Sequence, residues 1–317
     1  MPPHFSVVIP THDRAASLML ALGDVLAQQF TDFEVIVVID GSSDTTAAEL
    51  EGVDDPRLRV VKQSNEGPCR ARNAGAELAR GRWLVFLDDD DRVAPNWLAI
   101  LSEHTEAADV GVVCCGTILV DEHGTVLDQT RPRRLGPLYN EAQAQFAAGA
   151  FAVSRALFER SGGYDSAMSF GENFELGLRL VALCEAQALR IEADGRTPLR
   201  WTRRPEAPIT NERCQALHGA GLHMLAKHAT RLAGDPAARW RLLSITGVNA
   251  LRLGRIGDGR RLFAQAVRVC PTRLTGWARL VTTVSPWLAR RVWGDHRDAT
   301  GDRMHAPDDG PVLEGSD

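Results

Sequence analysis

Four consecutive carboxylates, Asp88-Asp89-Asp90-Asp91, end the apolar run Trp83-Leu84-Val85-Phe86-Leu87. Adjacent like charges repel, so a fold that keeps them together needs a counter-charge. Carboxylate oxygens are hard donors that suit Mg²⁺ or Mn²⁺, cations that commonly hold substrate phosphates as well. The plain alternative is a solvated acidic loop ahead of a helix starting near Pro95. Trp83 to Leu87 has strand length and is bounded by Gly81 and the charge cluster, which reads as a buried parallel strand. Its C-terminal end is where open α/β sheets take ligands.

The elements that must position these acids follow from the pattern before them. Phe5 to Pro10 reads as a first strand, stopped by Pro10, and Ala15 to Gln29 has helical periodicity through Leu18, Leu22, Val25 and Leu26. Phe33 to Ile39 reads as a second strand ending at Asp40, and Thr45 to Leu50 opens a second helix. Leu58 to Val61 is a short third strand, followed by a helix over Cys69 to Ala79. Strands alternating with helices predict βαβ units and a mainly parallel sheet. Carboxylates at the ends of strands two and four could then hold a nucleotide by base and ribose while a metal holds its phosphates. The first turn, Thr11-His12-Asp13-Arg14, carries neither G-x-G-x-x-G nor G-x-x-x-x-G-K-[ST]. That argues against a dinucleotide fold of the Rossmann type and against a P-loop NTPase.

Composition sets the outer limits. The 317 residues, 44% hydrophobic and 24% charged, suit a soluble globular protein with one large domain or a domain plus extension. A net charge of −5 leaves no global nucleic-acid footprint. The six cysteines form no C-x-x-C pair, so reduced thiols in a cytoplasmic setting are expected rather than a disulfide or zinc framework. No run has the length and apolarity of a signal peptide or membrane span.

Ser6 to Arg14, Val37 to Asp44, Asn65 to Gly75 and Phe86 to Asp91 with Pro95 are four motifs whose order and spacing resemble the family-two glycosyltransferases. Phe151 to Arg155, Gly162-Gly163-Tyr164-Asp165 and Gly171 to Leu180 are similar to the family's acceptor-side segment, so the resemblance covers roughly residues 5–185. It implies an α/β GT-A nucleotide-diphospho-sugar transferase fold, a mainly parallel, Rossmann-like sheet flanked by helices. It also implies a UDP-, GDP- or dTDP-linked sugar donor and a carbohydrate or lipid-linked acceptor hydroxyl.

By the same resemblance, Pro10, Thr11 and His12 contact the nucleoside. Asp40 accepts from the base edge, although it can also serve as a helix N-cap. The family often has two acids there, and Ile39 replaces the first. Arg72 approaches the nucleotide or a neighbouring carboxylate, while Asn73 and Gly75 serve close helix-to-sheet packing. Asp88 joins the ribose and metal shell beside Asp89, Asp90 coordinates the metal, and Asp91 supports it. An inverting transfer needs a base for the acceptor hydroxyl. The family's acidic pair reads Glu172-Asn173 here, and Asn cannot be a base. Glu172 then takes that role with Asn173 orienting, or the protein binds donor without efficient transfer. Glu175 and Arg179, at i, i+4 spacing, read as a helix-face pair. No Q-x-x-R-W follows, which argues for a non-processive enzyme. The alternatives are a non-catalytic nucleotide-sugar-binding protein acting through its extension, or a nucleotidyltransferase, whose usual Gly-rich loop is missing here.

The expected organisation is a transferase domain over residues 1–208, a helical extension over 209–293 and a disordered tail over 294–317. Val110 to Val120 is strand-like, and Arg131 to Pro137 is basic and loop-like. Helical patterns cover 211–234, 236–253 and 257–269. Gly247, Ala250, Phe263, Ala266 and Pro271 there match the spacing of one tetratricopeptide unit, with Gly259 where a small Ala is usual. Residues 274–293 are basic and Trp-bearing. That pattern suits either a docked helix or a peripheral contact at the inner face of the membrane.

Overall fold

The computed structural model describes residues 1–121, 123–202 and 210–285, together with Trp287 and Val292. The chain opens with β1 (Phe5–Thr11), α1 (Ala15–Leu26), β2 (Phe33–Asp40), α2 (Thr46–Glu51), β3 (Leu58–Gln63), α3 (Pro68–Leu78) and β4 (Trp83–Phe86). It continues through β5 (Arg92–Val93), α4 (Trp97–Ser102), β6 (Val110–Cys114), β7 (Thr117–Val120), β8 (Val126–Thr130), β9 (Arg133–Arg134), β10 (Gln143–Ala144), β11 (Phe151–Ser154), α5 (Arg155–Ser161), α6 (Glu172–Ala186), β12 (Arg190–Ala193) and β13 (Leu199–Thr202). Two compact units result. The first holds residues 1–135, 139–166 and the stretch from 171 through β13. The second holds residues 136–138, 167–170 and the helices beyond residue 210.

The first unit is built on a seven-stranded sheet in the order β12-β6-β11-β4-β1-β2-β3. β1 pairs in parallel with β2 and β4, β2 with β3, and β6 with β12, while β11 runs antiparallel between β4 and β6. Every residue of β1, β2 and β4 is buried, as expected of parallel strands covered on both faces. β1 runs one residue past Pro10 instead of stopping there. Pairing with β4 ends at Val8↔Phe86, and Val8 faces β4 through its carbonyl, which accepts from the Leu87 N–H. Pro10, two residues on, faces the same side beyond the end of β4, so its missing N–H breaks no ladder bond.

Gly75 lets α3 lie close on the sheet. A Cβ there would stand 2.4 Å from Val8 Cγ1 and 3.1 Å from Val38 Cγ2. Asn73, expected to serve the same packing, instead ties α3 to the turn after α5. Its side chain donates to the Tyr164 carbonyl at 2.8 Å and accepts from the Tyr164 N–H at 2.8 Å.

The strand-like run Val110 to Val120 is two strands in two sheets. After Cys114 the chain leaves the large sheet and enters a four-stranded one ordered β5-β13-β7-β8. Gly116 makes the step, where a Cβ would meet the Thr130 carbonyl and Thr197 Cγ2 at 2.6 Å each. Arg133–Arg134, in the segment read as a basic loop, pairs with β10 as a two-stranded ribbon.

The second unit comprises α7 (Asn211–Lys227), α8 (Ala229–Ala233), α9 (Pro236–Arg252), α10 (Ile256–Val269) and α11 (Leu274–Thr282). The helix expected over 211–234 breaks at His228 into α7 and α8. Asp235 caps α9 by accepting from the Ala238 N–H at 2.9 Å. α9 and α10 pack through two glycines: a Cβ on Gly247 would strike the Phe263 ring at 2.7 Å, and one on Gly259 would strike Leu251 at 2.5 Å. The boundary expected at 208 and the tail over 294–317 lie outside the described residues. Among the described residues, no helix is long and apolar enough to cross a membrane.

Candidate active site

Where β4 ends, the Leu87 N–H still reaches back to β1, and the next four residues turn, with the Asp91 N–H bonding the Asp88 carbonyl at 3.2 Å. The turn sorts the four carboxylates. Asp88, Asp90 and Asp91 each offer an oxygen, and these oxygens lie within 4.8 Å of one another. Asp91, read from sequence as a supporting residue, stands as a full member of this set. Asp89 is turned away and buried. It accepts from the Thr11 hydroxyl at 2.7 Å and from Arg14 Nη1 at 2.9 Å. Thr11 and Asp89, both expected at the donor, therefore hold each other, lashing the end of β1 to the acidic turn. Burial raises the Asp89 pKa against the lowering effects of Thr11 and Arg14. Arg14, which the sequence did not single out, also reaches Asp90 at 3.2 Å.

The turn after β1 is braced by two further acids. Asp13, at φ +51°, accepts from the Ser43 N–H at 2.6 Å. Asp44 accepts from the Ala15 N–H at 3.1 Å and the Thr46 N–H at 3.0 Å, serving the first turns of both α1 and α2. Pro10 is buried in β1, whereas His12 is exposed. His12 Nδ1 lies 2.7 Å from the Asp40 carbonyl, and a carbonyl only accepts, so Nδ1 carries the proton.

Asp40 closes β2 with its carboxylate buried. Oδ1 accepts from Gln63 Nε2 at 2.8 Å and the Glu66 N–H at 2.7 Å, and Oδ2 accepts from the Gly67 N–H at 2.8 Å. Asp40 is thus neither a helix N-cap nor a wholly open acceptor. It pins the turn that launches α3, with lone-pair capacity left on Oδ2.

Arg72, on α3, is the junction of the site. Its guanidinium is buried, with Nη2 donating to Asp88 Oδ1 at 2.6 Å and Nη1 to Glu172 Oε1 at 3.1 Å. It lies 5.2 Å from the centroid of the Tyr164 ring. Burial works against its charge, but Asp88, Tyr164 and Glu172 outweigh that and raise its pKa. Among the described residues its Nε has no hydrogen-bond partner.

Glu172 opens α6, with 18% of its side chain exposed. Asn173 accepts at Oδ1 from the Tyr164 hydroxyl at 2.8 Å, so its amide is anchored inward. Tyr164, fully buried, is a site residue whose role sequence reasoning missed, although Gly162-Gly163-Tyr164-Asp165 was visible as a motif. A Cβ on Gly163 would meet Asn73 Oδ1 at 2.6 Å, which explains the glycine. Glu175 and Arg179 pair as spaced, but Glu175 is buried and Arg179 also donates to the Ser161 carbonyl, locking α6 to α5. Burial, then Glu172, pushes the Cys69 thiol up to about 12, which removes it as a nucleophile. The structure therefore brings Arg72, Asp88, Asp90, Asp91 and Glu172 together, with Asp40, Thr11 and Asp89 as braces.

The chain has relatives among known proteins. Residues 6–162 match the model of glycosyl transferase family 2. The chain carries a family 2 glycosyl transferase domain. Succinoglycan biosynthesis protein ExoO of Rhizobium meliloti is 31% identical over 195 residues, which is 59% of this chain and 56% of that protein. The chain thus spans little more than half of that relative's length. Among solved structures, Staphylococcus aureus TarS residues 1–349 in complex with UDP-GlcNAc superposes with a TM-score of 0.58 at 16% identity, covering 99% of this chain and 100% of that one. Mannosyltransferase PcManGT from Pyrobaculum calidifontis, in complex with GDP-Man and Mn²⁺, gives 0.55 at 18% identity, covering 92% and 88%. These two superpositions carry the fold, and the GT-A architecture is the one seen here.

Proposed function

We propose that this protein is a glycosyltransferase that moves a sugar from a nucleotide-diphosphate donor to an acceptor hydroxyl. The observation that carries the reading is the convergence of Asp88, Asp90 and Asp91 at the end of β4, tied through Arg72 to Glu172. Three close oxygen donors fit a hard divalent cation, and Mg²⁺ or Mn²⁺ would be held by these carboxylates. When bound, it would supply Lewis-acid charge for the departing diphosphate. The PcManGT complex with Mn²⁺ supports the metal dependence.

The chain's own groups divide the remaining work. His12, exposed beside Asp40, offers its ring face to the base, and Asp40 holds the neighbouring turn. Glu172 takes the proton from the acceptor hydroxyl as it attacks the anomeric carbon, which makes the transfer inverting. Arg72 keeps that carboxylate aimed and, through Asp88, coupled to donor occupancy. Asn173, anchored by Tyr164, fixes the first turn of α6 on which Glu172 stands. UDP-, GDP- and dTDP-sugars are the donor candidates, and a carbohydrate or lipid-linked hydroxyl is the acceptor. The lack of Q-x-x-R-W supports single additions. Residues 1–208 are assigned to transfer and 209–293 to a helical extension.

A second reading, donor binding without transfer, draws support from Asn173 in place of an acid and from the ion pair already on Glu172. Glu172→Gln separates the two. A Mn²⁺ thermal-shift screen first identifies the nucleotide. The variant is then expected to retain donor affinity and to lose transfer by about a hundredfold or more, the usual worth of a positioned base. Transfer at the wild-type rate in the variant removes Glu172 as the base. Donor binding by the wild type with no transfer or hydrolysis selects the second reading.

A further inference from the structure

We infer that the outer face of α11, with Val284 and Trp287 beyond it, forms a docking face for an anionic lipid surface. This inference does not depend on the reaction proposed above. Charge segregation is the first observation. Residues 259–294 contain seven arginines and no Asp, Glu or Lys, with Arg261 paired to a flanking acid, Asp258, in a chain whose net charge is −5. The second is the way α11 is seated. Gly276 faces inward, where a Cβ would stand 3.2 Å from Trp240 Nε1 and 3.4 Å from Val267 Cγ2. Leu280 packs on the cluster of Val248, Leu251 and Phe263. Just beyond the helix, the Thr283 carbonyl accepts from the Arg260 guanidinium.

The opposite face carries Leu274, Trp277 and Val281, spaced i, i+3, i+7, and these are 80%, 47% and 57% exposed. Val284, Trp287 and Val292 extend the exposed apolar surface. Arg273 stacks over Trp240, 4.6 Å from its ring centroid, which holds a fixed positive charge at the start of the helix. Two tryptophans and aliphatic side chains on an arginine-rich segment form the composition that lies in a bilayer interface. An acidic protein would satisfy the arginines but leave exposed aliphatics such as Leu274 and Val284 without a matching groove. Anionic headgroups with acyl chains beneath satisfy both at once.

The full chain should co-sediment with vesicles of phosphatidylcholine and phosphatidylglycerol in equal parts, much less with pure phosphatidylcholine, and less again in high salt. Leu274→Glu/Val281→Glu should weaken that binding at least tenfold while its thermal melt stays that of the wild type, since both side chains are exposed. If that variant melts early, Leu274→Ser/Val281→Ser takes its place. No binding to anionic vesicles, equal binding to neutral ones, or undiminished binding by a variant that melts normally overturns the inference. So does a wild-type dimer that the same variant dissociates, because the face would then belong to a second copy of the chain.

Discussion

Among the described residues, two clusters of metal-binding residue types sit on the first unit, and they differ in charge balance. One is Asp88, Asp90 and Asp91. The other is Glu103, His104 and Asp194, equally close in space. In the second, Arg196 reaches both Glu103 and Asp194 at 2.6 Å, and His104 lies 2.9 Å from Asp194. Two carboxylates there meet one guanidinium and an imidazole. At the first, ion pairs set Arg14 against Asp89 and Asp90, and Arg72 against Asp88 and Glu172, so among the described residues two guanidiniums are seen to serve four of the carboxylates gathered there. Among the described residues, the same residue types thus stand nearer to neutral in one place and more acidic in the other. Closeness of ligand atoms alone does not distinguish a cation site from an ion-pair network, whereas the count of opposing charge does.

The sharpest way to break this contrast is to remove one acid from each cluster. Asp90→Ala should abolish Mn²⁺-dependent nucleotide binding and cut transfer at least about a hundredfold, because a bound metal's charge stabilisation is worth several kcal/mol. Asp194→Ala should leave both unchanged. Calorimetric titration with and without Mn²⁺ checks this, and metal-independent affinity identical in wild type and Asp90→Ala would erase the distinction.

The next largest effect is expected at the junction. Arg72→Gln leaves two carboxylates facing each other, so stability should fall by about 2 kcal/mol. That is below the cost of breaking a fully buried pair, because Asp88 is 36% exposed. Donor-dependent activity should fall further than Tm alone explains, since Glu172 loses its aim. A variant with lowered Tm but normal kcat would reduce Arg72 to a structural part.

The smallest effect concerns acid titration, where the two clusters should differ in sign. The Arg196 guanidinium, with help from His104, lowers the Asp194 pKa. A lowered carboxylate contributes stability above its unfolded value near 3.9, and that stability is lost as pH falls toward the folded value. Burial raises the Asp89 pKa, so its sign is opposite: just above about pH 4 the native state binds the extra proton, and stability falls as pH rises. Chemical denaturation in chelator should therefore show Asp194→Asn flattening the curve below about pH 4, and Asp89→Asn flattening it just above. Identical curves for both variants would refute the contrast.

How far the sequence was legible follows the same physics. Continuous apolar runs such as Val35 to Val38 marked the parallel strands, because burial on both faces leaves no room for polar alternation. The acidic stretch was legible as a strand end, but its internal sorting was not. Which of four adjacent aspartates turns inward depends on Thr11 and Arg14, 78 and 75 residues away in the chain. The split of Val110 to Val120 was hidden because composition does not change where the chain changes sheets. Only the steric demand at Gly116 records it. Tyr164 was missed for a related reason: its hydroxyl acts through Asn173, and a buried aromatic reads as core until its partner is known.

Arg72 meets Asp88 across 16 residues of chain and Glu172 across 100. Loop closure over the longer span is entropically the more costly, so the shorter contact has the head start during folding. On the ribosome, the acidic turn can collect its first guanidinium while α6 is still inside the exit tunnel. The complete constellation arises only after the last of its three segments has emerged, and a nascent chain halted before residue 172 would hold Arg72 and the acidic turn without the second carboxylate that Arg72 grips.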